Sequence, residues 1–332
     1  MKPYLVDVPV RVNIWIRPEC QRRQFEVIKQ ARPSILFLIS DGGRNEKEWE
    51  NIRNNRKMID EGIDWECTVY RIYEEKNNGL YAMGVKCRKL VWSKVDRCIF
   101  LEDDILPNVS YFSYCAELLE KYKDDNRVEV VCGMNHLGKC EHVTSDYFFS
   151  RQGSIWGSAT WKRVHENRHM DYTSDKYAMS LLKQRTKRNK RIWELINGYA
   201  KDSNYGGHIA GSEFWYCFNM YSQNSLQIIP KVNLVSNIGC TKDSQHSDDI
   251  SQIPKGLRRV FNMETYEMDF PMKHPVYVMP DVDYEKKRNR IMAYNHPFVA
   301  FYRKAERLLR KVLSGDFSYI KNKLKQKRNG EK

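Results

Sequence analysis

The segment RCIFLEDDILPNVSYF, residues 97–112, places three acidic residues directly after an apolar run. Residues 98–101 have the composition of a buried strand, and Glu102, Asp103 and Asp104 follow at once. Three adjacent carboxylates repel one another, so the cluster is costly unless a cation, a proton or a hydroxyl-rich ligand shares the site. The segment therefore predicts a buried strand that ends at a site for a positively charged or polar partner.

The segments that precede this stretch alternate between strand-like and helix-like patterns. VPVRVNIWIRP, SILFLISDGG and CTVYRIY are strand-like, and a helix-like segment follows each of them. Such alternation predicts an α/β fold with a mostly parallel sheet covered by helices on both faces. Polar residues follow three of the strands, at 16–19, 40–43 and 101–104. Because ligands of parallel sheets bind at the carboxyl ends of the strands, we expect these three segments to share one crevice.

The composition indicates a folded protein inside the cell. The chain has 332 residues, 41% of them hydrophobic and 12% aromatic, which excludes a disordered chain. Its nine cysteines are an odd number without a C-x-x-C pair, so we expect reduced thiols rather than disulfides or a zinc site. No apolar run approaches 18 residues, and MKPYLVDVPV lacks the apolar segment of a signal peptide, so we expect an intracellular location.

The net charge of +14 is concentrated near the C-terminus. Residues 284–332 contain fifteen Lys or Arg and four Asp or Glu, which gives +11 and leaves +3 for residues 1–283. A basic nucleic-acid-binding protein would carry its positive charge over the folded body. That class stays an alternative, and no nucleic-acid partner is expected.

The acidic triplet suits a hard divalent cation. Mg²⁺ and Mn²⁺ take a few carboxylate oxygens and fill their other positions with phosphate and water. The alternative is a set of acidic residues that interact favourably with the dipole of the helix starting near Val109. That alternative accounts for one acid more readily than for three, so a metal and nucleotide site is the better interpretation.

Four segments, in the same order, resemble those of known sugar transferases. CIFLEDDILPNVSYFSYC resembles the D-x-D region of GT-A-fold glycosyltransferases, in particular the Glu-Asp-Asp group of N-acetylglucosaminyltransferase I-like and bacterial family-2-like enzymes. WGSATWKRV, LQIIPKVNLVSNIG and FPMKHP resemble segments of bacterial transferases that act on surface polysaccharides. The similarity extends over residues from about 10 to 280. It implies a Rossmann-like GT-A sheet.

The resemblance also implies a reaction: transfer of a sugar from a nucleotide diphosphate-sugar, a UDP-sugar above all, to a hydroxyl of a lipopolysaccharide or capsule glycan. Asp104 matches the ligand of a Mn²⁺ or Mg²⁺ ion that bridges the diphosphate. Glu102 and Asp103 match positions that contact the ribose and order the metal shell.

Three further residues match positions around the nucleotide-sugar. Asp41 matches the carboxylate that recognises the nucleotide base, and Arg17 lies at the end of the first strand beside the same pocket. Asn78 belongs to the segment EEKNNGLYAMG, which resembles the Asn-x-Gly segment lining the donor pocket. Simpler interpretations stay open: ordinary turn chemistry for Asp41, a surface arginine for Arg17 and a helix-entry turn for Asn78.

Glu213 in HIAGSEFWYCF is the candidate base that removes the proton of the acceptor hydroxyl. Related enzymes place their base in the corresponding segment, and the resemblance implies inversion at the anomeric carbon. Here the sequence departs from the bacterial pattern, because an ungapped alignment on Trp215 puts Ser212 at the expected Asp position. The alternative for Glu213 is a first-turn glutamate that interacts with the helix dipole.

Other candidate residues have equally simple alternatives. His246, in the polar segment CTKDSQHSDD, resembles a loop histidine that reaches the metal or the diphosphate, but a lone loop histidine is often surface decoration. Trp156 and Trp161 form either an acceptor platform or part of the core. The basic cluster at 183–191 is best interpreted as a solvated helix face.

Residues 296–313, HPFVAFYRKAERLLRKVL, have the pattern of a basic amphipathic helix. An apolar stripe flanked by Lys and Arg suits the anionic cytoplasmic face of the inner membrane, to which we expect the protein to bind peripherally. Docking on the catalytic domain, or pairing with another subunit, would use the same stripe.

The expected organisation is one GT-A-like domain over residues 1–283 and a basic helical tail over residues 284–332. The domain divides at about residue 135 into a nucleotide-binding half and an acceptor half. The main alternative among enzymes is a nucleotidyltransferase, which shares the sheet but commonly has a Gly-rich loop near the first strand. A transferase-like protein that binds sugars without turnover is the third alternative.

Overall fold

The computed structural model describes residues 1–166, 174–186, 192–194, 196–197, 212–240 and 250–313, apart from the side chains of three of them. Its strands are β1 (Val6–Ile14), β2 (Pro33–Ser40), β3 (Thr68–Tyr73), β4 (Arg97–Leu101), β5 (Ile105–Pro107), β6 (Val128–Cys132), β7 (Tyr147–Ser150), β8 (Ser158–Trp161), β9 (Leu226–Pro230) and β10 (Val235–Asn237). Its helices are α1 (Pro18–Ala31), α2 (Glu46–Gly62), α3 (Leu80–Lys94), α4 (Ser110–Lys121), α5 (Lys162–Glu166), α6 (Lys176–Arg185), α7 (Ser212–Ser222), α8 (Lys255–Arg258), α9 (Val282–Met292) and α10 (Pro297–Leu313).

Eight strands of the described chain form one central sheet in the order β3-β2-β1-β4-β8-β6-β9-β7. Strands β1 to β4 are parallel neighbours, and β6 and β9 run in the same direction. Strands β8 and β7 run in the opposite direction. The predicted fold class, an α/β protein with a mostly parallel sheet flanked by helices, is confirmed.

Helices pack on both faces of the sheet. Leu36 and Leu38 of β2 belong to the apolar cluster that includes residues of α1 and α4, whereas Phe37 and Ile39 belong to a second cluster with α3. Successive side chains of a strand point to opposite faces, so these two clusters lie on the two sides of the sheet. This double burial explains why SILFLIS is an almost continuous apolar run.

The apolar pattern of QIIPKVNLVSN predicts one strand, and this prediction is wrong. The segment contains two strands, because β9 joins the central sheet and β10 pairs with β5 in a separate two-stranded sheet. Between them Asn135 donates to the carbonyl oxygens of Pro230 and Lys231, at 2.9 and 3.0 Å. These side-chain bonds add to the backbone bonds of Lys231 with Asp146 and Cys140 at the point where the chain changes sheets.

Two expectations from composition agree with the structure. All nine cysteines lie in the described ranges and none forms a disulfide. Six of them are buried, as expected for thiols in apolar segments. Of the helices described, none has the length and apolar character needed to cross a bilayer.

Candidate active site

The acidic triplet meets Arg17 where two neighbouring strands end. Strands β1 and β4 are paired with Val12 opposite Leu101, so the residues that follow each strand lie side by side. Arg17 donates from Nε and Nη2 to the two carboxylate oxygens of Asp103, at 2.8 and 2.7 Å. Its Nη1 atom donates to Oδ2 of Asp104 at 3.0 Å. The protein itself therefore supplies one positive charge to the acidic triplet, through Arg17.

These three side chains are largely buried, with 14%, 10% and 15% of the side-chain surface exposed for Arg17, Asp103 and Asp104. Burial disfavours the charge on Arg17, but the hydrogen bonds to Asp103 and the charges of both aspartates outweigh it and raise the pKa of the guanidinium. Burial also raises the pKa of Asp103, and Arg17 opposes that rise. The bidentate geometry favours the charged pair.

Glu102 behaves differently from its two neighbours because it is not among the partners of Arg17. Burial, followed by repulsion from Asp104, raises the pKa of Glu102 to about 7. The turn that carries it is fixed by the fully buried Gln24, whose Nε2 atom donates to the carbonyl oxygens of Glu102 and Ile105, both at 2.6 Å. Glu102 can therefore gain or lose its proton near neutral pH, in a turn that Gln24 of α1 holds in place.

We expect the contribution of Glu102 to the stability of the protein to fall as the pH rises from about 4.5 to 7. In that window the unfolded state ionises Glu102 while the folded state keeps the proton, so each pH unit costs at most about 1.4 kcal/mol. Urea unfolding of a Glu102→Gln variant should lack this component. Glu50→Gln, at an exposed acid on α2, is the control and should follow the wild type. Parallel slopes for wild type and Glu102→Gln would contradict the assignment.

The chain returns to the triplet after β10 and covers it closely. The amide of Ile238 donates to the carbonyl oxygen of Asp104 at 2.9 Å. A Cβ atom at Gly239 would lie 2.1 Å from Oδ2 of Asp104 and 2.6 Å from Nη1 of Arg17. Only glycine fits there without a shift of the ion pair. Gly239 was not among the site residues predicted from the sequence. The run SNIGC carries no signal of this contact other than the glycine itself.

Asp41 and Asn78, which follow β2 and β3, are brought together at the same edge of the sheet. The Asp41 carboxylate accepts hydrogen bonds from the backbone amides of Gly42, Asn78 and Gly79, at 2.9, 2.9 and 2.8 Å. The Asn78 side chain donates to Asp41 and to Glu74, both at 3.2 Å. Asp41 thus anchors the loop that starts α3. Adjacent strands lie about 4.8 Å apart, so β2 and β4 are separated by about 10 Å.

One buried carboxylate oxygen of the triplet has no hydrogen-bond partner and is available to a cation. This atom is Oδ1 of Asp104. Among the described residues, no group of three or more His, Cys, Asp or Glu side chains is arranged to hold a metal ion. This donor set suits an ion such as Mg²⁺ or Mn²⁺ that takes most of its ligands from phosphate and water. The residues of the triplet therefore fit a metal ion that binds together with a phosphate-bearing substrate.

Two predicted site residues cannot be assessed. His246 lies outside the described residues. Glu213 lies in the first turn of α7, and its side chain is likewise outside the described part. The last residues of the basic cluster, 187–191, and the tail beyond residue 313 are also outside it.

The two tryptophans of the proposed platform have different environments. Trp161 is in β8, 3% exposed, and its Nε1 atom donates to the carbonyl oxygen of Leu119 at 2.8 Å, so it belongs to the core. Trp156 precedes β8, packs at 5.2 Å between ring centroids on Phe261, and lines a cavity of about 240 Å³. Of these two tryptophans, only Trp156 is placed to contact a ligand in the cavity.

Comparison with known proteins gives little guidance. No family model matches the chain, and no curated protein matches it. The chain is similar to UDP-glucose pyrophosphorylase complexed with UDP-glucose at 9% identity and a TM-score of 0.36, over 70% of this chain and 93% of that one. It is similar to A197 from STIV at 8% identity and a TM-score of 0.28, over 52% and 70%. Both scores are too low to bear on the function.

Proposed function

We propose that this protein is a metal-dependent, inverting glycosyltransferase of the GT-A type that uses a nucleotide diphosphate-sugar. The observation that carries the proposal is the acidic triplet at the carboxyl end of β4, beside Arg17 at the end of β1. Ligands of α/β proteins bind at this edge of the sheet. Together with the Glu-Asp-Asp resemblance, the site favours UDP-sugar as donor and a bacterial surface glycan, lipopolysaccharide or capsule, as acceptor.

The charges of the site suit a diphosphate and its metal ion. Arg17 offsets one of the two aspartate charges, and Glu102 is close to half ionised near pH 7. The remaining charge lies between −1 and −2, which attracts a divalent cation without requiring three carboxylates to stay ionised together. Asp104 would hold the ion through its unpartnered oxygen. When bound, such an ion stabilises the negative charge on the departing diphosphate.

The candidate base, Glu213, belongs to α7, which borders the cavity beside Trp156. Position 213 precedes Tyr216 and Cys217 by three and four residues, the spacing of residues on one face of an α-helix. Tyr216 and Cys217 both line the 240 Å³ cavity. An acceptor in that cavity would therefore lie along the helix on which Glu213 is the candidate base.

The proposal predicts that UDP and Mn²⁺ bind together. In a thermal-shift assay, UDP with Mn²⁺ should raise the melting temperature clearly more than UDP or Mn²⁺ alone, because Asp104 supplies only one free oxygen. A hundredfold excess over the dissociation constant stabilises by about 2.7 kcal/mol. ADP, CDP and GDP test the base preference, and EDTA should abolish the joint effect. If no nucleotide changed the melting temperature, with or without Mn²⁺, the proposed function would be excluded.

Helix α10 supports a peripheral position on the inner membrane. Two of its charged residues contact the domain: the Glu306 carboxylate accepts from the amide of Lys255 at 2.9 Å, and Arg310 donates to the carbonyl oxygen of Ser251 at 3.1 Å. Large apolar side chains remain exposed on its other side: Phe298, Phe301, Tyr302, Leu308, Leu309 and Leu313. The apolar stripe is therefore not what docks the helix on the domain.

Removing apolar side chains from α10 should weaken binding to anionic vesicles. Phe301 and Leu309 are 74% and 58% exposed, and burying a side chain of this size stabilises by about 1.5–3 kcal/mol. Replacing both by serine should weaken the affinity for phosphatidylserine vesicles, measured by co-sedimentation, by roughly a hundredfold or more. Tyr277→Ser, at a residue 69% exposed outside the helix, is the control. Equal binding of all three proteins would exclude this surface.

A further inference from the structure

The cavity beside Trp156 contains a buried arginine without an acidic partner. Arg288 of α9 is 6% exposed and lines the cavity. Its guanidinium donates to Oε1 of Gln152 and to the carbonyl oxygen of Gly153, both at 3.0 Å, and more weakly to Asn289 at 3.4 Å. It also lies 4.8 Å from the ring centre of Tyr294. All of these partners are neutral.

The nearby acid is already used by another arginine. Glu285 lies one helical turn before Arg288, and its carboxylate accepts hydrogen bonds from the backbone amide and the guanidinium of Arg151, at 2.7 and 3.1 Å. Within the described chain, no Asp or Glu forms an ion pair with Arg288, and its Nε atom has no hydrogen-bond partner. Buried charges are costly unless they are paired. The cavity wall therefore carries one uncompensated positive charge.

Among the described residues that line the cavity, the one histidine does not change this charge balance. His136 is 3% exposed, and burial together with the charge of Arg288 holds its pKa well below the ordinary value, so it is neutral at physiological pH. Its Nδ1 atom lies 3.4 Å from the hydroxyl of Tyr284. The neutral ring can exchange hydrogen bonds with a ligand hydroxyl without adding charge.

The remaining walls suit one ring with an apolar face. Trp156, Ile155, Met134, Val260 and Met292 contribute apolar surface to the cavity. Its volume of about 240 Å³ is below the roughly 300–1,000 Å³ of sites for drug-sized ligands, so it suits a single sugar ring. Met134 and His136 follow β6, which lies two strands from β4, or about 10 Å along the sheet edge.

We propose that this cavity binds a sugar-sized anionic ligand, a ring bearing a carboxylate or a phosphate, whose charge is neutralised by Arg288. That the ligand is the acidic sugar of the acceptor glycan rests on the proposed function. Binding of the anion itself does not rest on the proposed function, because none of the residues that line the cavity belongs to the acidic triplet.

Calorimetric titration with glucuronate, glucose 6-phosphate and glucose tests the proposal on the full-length protein. At least one of the two anions should bind at least tenfold more tightly than neutral glucose. The anion that binds more tightly shows whether the site prefers a carboxylate or a phosphate. Equal affinity for all three, or no binding by either anion, would overturn it. The response to UDP with Mn²⁺, measured on the same samples, reports the nucleotide site separately.

A charge placed in the cavity wall provides a test that spares Arg288. Oγ of Ser154 accepts a hydrogen bond from the amide of Trp156 at 3.1 Å, and both Asp and Asn can form the equivalent turn. Ser154→Asp should weaken anion binding about tenfold or more through like-charge repulsion, whereas Ser154→Asn should stay within about threefold of the wild type. Arg288→Gln should abolish the preference for the anion over glucose. Equal affinities of the Asp and Asn variants would contradict the site.

Discussion

Replacing Asp104 by asparagine is expected to lower the rate of UDP release from a UDP-sugar by about a thousandfold or more in the presence of Mn²⁺. Asparagine keeps the size of the side chain and an oxygen that can accept from Nη1 of Arg17, but it removes the charge that seats the cation. A thousandfold loss corresponds to about 4 kcal/mol of transition-state stabilisation, the scale expected for a Lewis-acid metal. The measurement is steady-state UDP release at saturating donor.

The control for this variant is Asp124→Asn, an exposed aspartate in the loop between α4 and β6, which should leave the rate unchanged. The same samples should be assayed for UTP formation from UDP-sugar and pyrophosphate. Activity of the wild type in that assay, with no transfer or hydrolysis, would favour the nucleotidyltransferase alternative. Full turnover by Asp104→Asn in chelated buffer would exclude the metal site altogether.

The sheet could be predicted because its determinants are local. Each parallel strand in the first half is an apolar run bounded by turn residues, and the run before Glu102 is buried on both faces. The acidic triplet was located correctly at a strand end for the same reason. The break between β9 and β10 could not be predicted, since the chain there is held by distant residues such as Asn135, which lies more than 90 residues earlier.

The partners of the site residues were harder to predict than their positions. Arg17 and Asp103 are 86 residues apart, and no sequence pattern distinguishes their bidentate pair from an arginine beside a pocket. Asp41 was placed at a strand end correctly, but the three backbone amides it accepts from depend on the path of the loop before α3. Strand ends follow from local pattern, whereas contacts between loops follow from tertiary packing.

Arg17→Gln should be the most destabilising single change in the site. It leaves the Asp103 carboxylate, 10% exposed, without its positive partner. Removing one member of a buried ion pair typically costs about 3–5 kcal/mol, because the other charge stays buried and uncompensated. The free energy of unfolding in urea at pH 7 measures the loss. Arg22→Gln, which removes an exposed arginine of the same helix, should have little effect.

The double variant Arg17→Gln with Asp103→Asn separates the ion pair from packing. If the loss comes from an unpaired charge, the double variant should recover most of it, because a glutamine and an asparagine can hydrogen-bond without a buried charge. A double variant as unstable as Arg17→Gln alone would show that the guanidinium acts through its packing and its other contacts.

The pH dependence of Arg17→Gln provides an independent test of the same cause. Burial already raises the pKa of Asp103 with Arg17 present, and removing the arginine takes away the interaction that opposes that rise. A carboxylate whose pKa is higher in the folded than in the unfolded state destabilises the protein as the pH rises through the folded value. The deficit of Arg17→Gln relative to the double variant should therefore shrink as the pH is lowered and Asp103 takes up a proton. A deficit independent of pH would mean that Asp103 is not left as an uncompensated charge, and that Arg17 stabilises the protein through packing instead.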